Sequence, residues 1–129
     1  MIKSMTAYFS VSILCLVITN VYALFGHGVR SESMDFMFLY PLIGGTGVFL
    51  LMTLIAVYLP ERLREVSRVG YNLHNSGIAS LTSAAMLTGI MEIAGTSSKW
   101  IGYIKLAGYV LVCGAFVCQS LRFLKRAVR

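Results

Sequence analysis

The chain has 129 residues, of which 57% are hydrophobic and only 12% charged, and its mean hydropathy is +0.78. Soluble domains are about a quarter charged, and a domain this small has too much surface per volume to hide so many apolar side chains from water. Its solvent is therefore lipid. The net charge of +6 would otherwise point to nucleic acid, but the basic residues cluster at the ends of apolar runs, which argues against such a partner.

A helix needs about 20 apolar residues to cross the hydrocarbon core, and four windows reach that length. The first, about residues 5–25, contains Val21-Tyr22-Ala23, which looks like a signal-cleavage site. Its apolar core exceeds the roughly 7–15 residues of a signal peptide, so a spanning helix is expected.

The second window, about 36–59, carries Pro41 followed by Gly44, Gly45 and Gly47. Proline removes a backbone donor, while glycines admit close packing or local unwinding. The expected arrangement places Pro41 in the first turns and the three glycines in a packing groove. The alternative is an interrupted helix of the kind that marks transporter substrate sites. No lysine accompanies the glycines, so the run is not a phosphate-binding loop.

The loop that follows, PERLREVSRVG, starts with the helix-stopping Pro60. It offers Glu61 with Arg64 and Glu65 with Arg68 as i,i+3 pairs.

The third window, about 71–95, is the most polar. At 100° per residue, His74, Ile78, Leu81, Ala85, Thr88 and Glu92 share one face, and Asn72, Ser76, Ala79, Ser80 and Ser83 gather on the other. Small and hydroxyl residues hold helices together in lipid. Two such faces imply a neighbour beyond the chain's own bundle, so Ser76, Ala79 and Ser83 are helix-packing candidates. His74, between Asn72 and Asn75 in the sequence, is expected to hydrogen-bond at the membrane interface.

The fourth window, about 100–121, places Gly108 and Ala115 on a small-residue seam beside Lys105, expected to seat the third helix. Between the last two windows lies a short TSSK turn. With Ser97 as its middle, Glu92 and Lys105 come to within about 4–5 Å of one depth. The expectation is an intramembrane charge pair, with Asn20 or Thr88 completing its hydrogen bonds.

Charged residues at membrane depth are functional candidates by default. Cys15, Cys113 and Cys118 all lie in apolar runs at spacings that form no metal or redox motif. His27 and His74 fall near opposite ends of their spans, too far apart for one iron. No catalytic motif, metal site or cofactor site emerges.

Eight of the eleven basic residues (Lys3, Arg62, Arg64, Arg68, Arg122, Lys125, Arg126 and Arg129) fall on one side of this threading. The positive-inside rule makes that side, with both termini, cytoplasmic, and the basic tail would attract anionic lipid headgroups. Connections are short and no composition break divides the chain. The expected fold is therefore all-α: residues 1–129 as one domain, a polytopic membrane protein with four transmembrane helices in a compact bundle.

The segments FLYPLIGG (38–45), YNLHNSGIASLT (71–82) and EIAGTSS (92–98) resemble those of small four-helix membrane proteins of Gram-positive bacteria. The resemblance implies a bacterial cytoplasmic membrane and a compact four-helix fold, and it carries no activity with it.

Three functions fit this reading. The favoured one is a non-enzymatic accessory subunit or self-associating scaffold, partnered by a second copy or another membrane protein. The others are a small transporter or channel protomer using the Glu92/Lys105 region, and a haem- or quinone-binding redox subunit resting on His74.

Overall fold

A computed structural model describes residues 2–58 and 66–127. Four segments in it are long and apolar enough to cross a membrane: Ile2–Phe25, Glu32–Tyr58, Arg68–Ile93 and Lys99–Lys125. They pack together as an all-α body. Ile2, Tyr58, Arg68 and Ala127 lie at one pole, the terminal pole, and the turns at 26–31 and 94–98 lie at the other, the loop pole. Leu59, Pro60, Glu61, Arg62, Arg64, Glu65 and Arg129, with the expected loop pairs among them, lie outside the described residues, as does the side chain of Arg126.

Helix α1 (Ile2–Phe25) is continuous. The second span is not the single helix expected over 36–59. It opens with one short turn, α2 (Glu32–Asp35), whose N-cap Ser31 accepts from the Met34 amide. Turns follow, then a π-helical stretch over Tyr40–Gly47 and finally α3 (Val48–Tyr58). Pro41 lies at the start of the π stretch and has no amide hydrogen to give the preceding turn. The three glycines after it lower the resistance of the backbone to the wider helix.

Helix α4 (Arg68–Ile93) is capped by Ser67, which accepts from the Gly70 amide. At its other end Gly95 takes a left-handed φ of 67°. There the Thr96 amide donates to the Met91 carbonyl at 2.9 Å, and the Gly95 amide donates to the Glu92 carbonyl at 3.1 Å. These two bonds form a Schellman stop, which glycine enters without a Cβ penalty. Helix α5 (Lys99–Ala127) runs back to the terminal pole.

Helix α4 is the axis of the body. A third of its spanning window is buried (33%), against 17% for each of the other spans. It touches α2, the π stretch and α5, whereas α5 packs almost wholly against α4.

The α4–α5 contact is a zipper of small residues. Gly70 faces the Ala115 carbonyl, and Gly77 faces Gly108 and Val112. Seven residues along one helix match seven along the other in the opposite direction. Ala84 and Ile101, both buried, fall at the next step of that register. Lipid supplies little apolar driving force between helices, so close backbone approach at such positions holds the pair.

On the other flank of α4, Tyr8 of α1 donates to Asn75 Oδ1 at 2.6 Å, and the hydroxyls of Ser4 and Tyr71 lie 3.0 Å apart. Gly45 makes room for the Tyr8 ring, and Gly44 faces Ile78. Gly47 meets only the Leu42 carbonyl of its own segment. It takes no part in the interhelical groove expected of the three glycines.

Candidate functional site

The polar groups of the loop pole do not converge as expected. The Glu92 carboxylate accepts from the hydroxyls of Ser31 and Ser33, the latter at 2.8 Å. Ser31 Oγ also accepts from the Met34 amide at 3.4 Å. One serine thus caps α2 and ties it to the end of α4. Arg30 donates to Asn20 Oδ1 at 3.0 Å and lies 3.5 Å from Asp35, while Asn20 donates to the Leu16 carbonyl of its own helix. Thr88 likewise turns back onto its own helix, at the Ala84 carbonyl.

The connection from α1 to α2 is therefore strapped to α1 by Arg30 and to α4 by Ser31 and Ser33. Thr19 adds a bond to the Met34 carbonyl at 3.0 Å, and Met34 covers Gly89.

Glu92 and Lys105 form no ion pair. Their symmetry about Ser97 fails because the zipper, not the turn, sets the register. Glu92 lies fifteen residues outward of Gly77, while Lys105 lies only three outward of Gly108. At 1.5 Å per residue their backbones are offset by about 18 Å along the helices. Helix α4 overshoots the start of α5, and the second span meets its carboxylate there.

Lys105 instead borders a groove of about 600 Å³ between the second span and α5, with α4 as its floor. Ile78, Leu81 and Ala85 form the buried base. Glu32 and Ser33 stand with Lys105 at the loop-pole end. Tyr40 and Tyr109, one from each wall, line the groove farther in.

His74 is buried, with 6% of its surface exposed. Its bond runs inward to a neighbouring span, not out to the membrane interface as expected. Its Nε2–H donates to the Gly44 carbonyl of the π stretch at 2.7 Å. A carbonyl can only accept, and that assigns the ring tautomer. Edge contacts to Phe49 and Phe116 at 5.7 and 6.1 Å hold the ring in place. His74 is thus a strut between α4 and the interrupted span. His27 stands in the loop at a left-handed φ of 54°. Among the described residues no three His, Cys, Asp or Glu side chains gather as a metal site, and the three cysteines are free thiols.

Asn72, Ser76, Ala79 and Ser83 form an exposed stripe along α4, facing away from the other described helices. The seam that α4 does bury uses Gly70, Gly77 and Ala84, of which Gly77 and Ala84 stand one position along the helix from Ser76 and Ser83. The regular seven-residue spacing of Gly70, Gly77 and Ala84 was the available signal for that seam, and it matches the Ile101, Gly108, Ala115 spacing on α5.

The fold defines a multi-pass integral membrane protein with four spans. The chain matches no protein-family model, and neither a curated protein nor a solved structure shows similarity to it.

Proposed function

We propose that the chain is a non-enzymatic, helix-packing protein of the bacterial cytoplasmic membrane, an accessory subunit or self-associating scaffold with both termini cytoplasmic. The observation that carries this reading is the exposed Asn72, Ser76, Ala79 and Ser83 stripe on α4. Hydrocarbon gains nothing from a row of hydroxyls and an amide, whereas a neighbouring helix gains close approach and hydrogen bonds. The buried side of α4 is used by the chain's own spans, which leaves this exposed side, where Val69 and Leu87 also lie, for an outside partner.

The test is disulfide cross-linking in native membranes of single cysteines at positions 76, 79 and 83, placed in a chain whose own thiols have been replaced. Cross-linked species are expected at all three, and absent for a cysteine at Leu51, on an exposed apolar face. A doubled mass identifies a second copy, and any other mass identifies a different subunit. No cross-link at any of the three, with ready labelling by a lipid-soluble maleimide, would leave the stripe facing lipid and end the proposal.

The interrupted second span supports a second reading, a small transporter or channel protomer. Discontinuous helices expose backbone groups at membrane depth, and here the Gly44 carbonyl is turned to His74. Ion or solute flux into vesicles holding the purified protein would favour this reading over the first.

A further inference from the structure

The groove between the second span and α5 has the chemistry of one particular class of lipid. It exists because α5 packs on α4 and scarcely on anything else, so the second span and α5 diverge as two walls over an α4 floor. Its polar features are ordered along its length. At the loop-pole end stand the Glu32 carboxylate and the Lys105 ammonium. About one helical turn deeper, some 6 Å at 1.5 Å per residue, Tyr109 lines one wall and Tyr40 the other. Beyond them the lining is apolar, through Ile43, Ile78 and Val112. A lysine this far inside a helix reaches the interface by extending its stem along the apolar wall.

Cation first, hydroxyls next and hydrocarbon last is the order in which a glycerophospholipid presents its phosphate, its ester carbonyls and its acyl chains. The rim also discriminates among headgroups. Arg30 and Asp35 neutralise each other, and among the described residues neither Glu32 nor Lys105 is in an ion pair. With Glu92 close by on Ser33, the rim carries two carboxylates and one ammonium. A purely anionic headgroup would satisfy Lys105 and be repelled by the carboxylates. A headgroup with both a phosphodiester and a primary ammonium satisfies Lys105 and Glu32 together.

We infer that this groove is a binding site for an aminophospholipid, its phosphate on Lys105, its ammonium on Glu32, its esters beside Tyr40 and Tyr109, and an acyl chain along Ile43 and Val112.

The experiment is native mass spectrometry of the delipidated full chain in mild detergent, with equal amounts of dioleoyl phosphatidylethanolamine, phosphatidylcholine and phosphatidylglycerol. Phosphatidylethanolamine adducts should dominate, because choline has no N–H to donate and glycerol brings no cation. Lys105→Gln should lower phosphatidylethanolamine retention about tenfold, the scale of one lost charge-assisted contact. Glu32→Gln should leave phosphatidylethanolamine and phosphatidylcholine bound alike.

Ile43→Trp, made from an exposed wall position, should fill the groove and displace all three lipids without touching the charges. It keeps the test open if Lys105→Gln fails to fold. Equal retention of the three lipids by the unaltered protein would overturn the site. So would preferential phosphatidylethanolamine retention that survives Ile43→Trp, or dimers free of lipid that Ile43→Trp dissociates. None of these outcomes bears on cross-linking through the opposite face of α4, so the site and the association proposal stand or fall separately.

Discussion

Gly77 of α4 and Gly108 of α5 approach so closely that a Cβ on Gly77 would stand 3.0 Å from the Gly108 carbonyl oxygen and 2.6 Å from Val112 Cγ2. That contact sets the register of the last two spans, and with it the depth of every polar group at the loop pole. It also leaves no slack: the 3.0 Å neighbours are the Gly108 carbonyl and the Val112 amide nitrogen, and neither can swing aside as a side-chain end can.

Gly77→Ala should therefore destabilise the protein, even though alanine is the better helix former by about 1 kcal/mol in water. Overpacking of this kind costs about 1–3 kcal/mol, enough to lower the thermal unfolding temperature in detergent measurably. Gly102→Ala is the control, because a Cβ there meets nothing within 4 Å, and it should be neutral or slightly stabilising. Equal behaviour of the two variants would mean that α4 and α5 meet in another register.

A second expectation concerns His74. His74→Phe keeps a ring against Phe49 and Phe116 but removes the donor to the Gly44 carbonyl. The lost bond should cost about 1 kcal/mol or somewhat more, since it leaves a buried acceptor with one partner fewer. Hydrogen exchange at the amides of Tyr40–Gly47 should rise in the variant while exchange in α5 stays as it was. A uniform rise across all four spans would point to general loosening and not to a strut.

The four spans are legible from apolar length alone, because lipid imposes one dominant rule on any segment that crosses it. What the helices do to one another is less legible. Gly108 and Ala115 identify the α5 seam, but the serines of α4 draw attention away from Gly70, Gly77 and Ala84, whose only signal is their spacing. Pro41 and the glycines mark the second span as irregular without saying that it widens into a π-helix. Nothing periodic links Ser31 and Ser33 to a glutamate some sixty residues on. That bond depends on α4 overshooting α5, a consequence of which small residues meet.

The threading makes a third expectation. Basic residues at the terminal pole should keep it cytoplasmic. In a cysteine-free background, a probe at Ser97 should react with a membrane-impermeant maleimide in intact cells. A probe at Ser67 should react only after lysis. The reverse pattern would invert the protein and move the Lys105 groove to the inner leaflet.

The last expectation separates the two partners that Glu92 has been offered. Ser33 donates to its carboxylate at 2.8 Å, and Ser31 donates as well, whereas the α4–α5 register keeps the Lys105 backbone about 18 Å back along the helices, so that only its extended stem brings the ammonium toward the rim. A double-mutant cycle between Glu92→Ala and Ser33→Ala should therefore return a coupling of about 1 kcal/mol, the net worth of one hydrogen bond near water. Ser33 is the cleaner partner, because Ser31 also caps α2 and its removal would mix two losses. The same cycle between Glu92→Ala and Lys105→Met should return distinctly less, because Lys105 reaches Glu92 only through a weak long-range attraction and no shared bond. Lys105→Met alone should leave the unfolding temperature nearly unchanged while weakening lipid retention. Coupling through Lys105 and not through Ser33 would bring the two charges to one depth. That outcome would also require the Gly77–Gly108 contact to slip along the helices, so it would appear in the Gly77→Ala measurement as well.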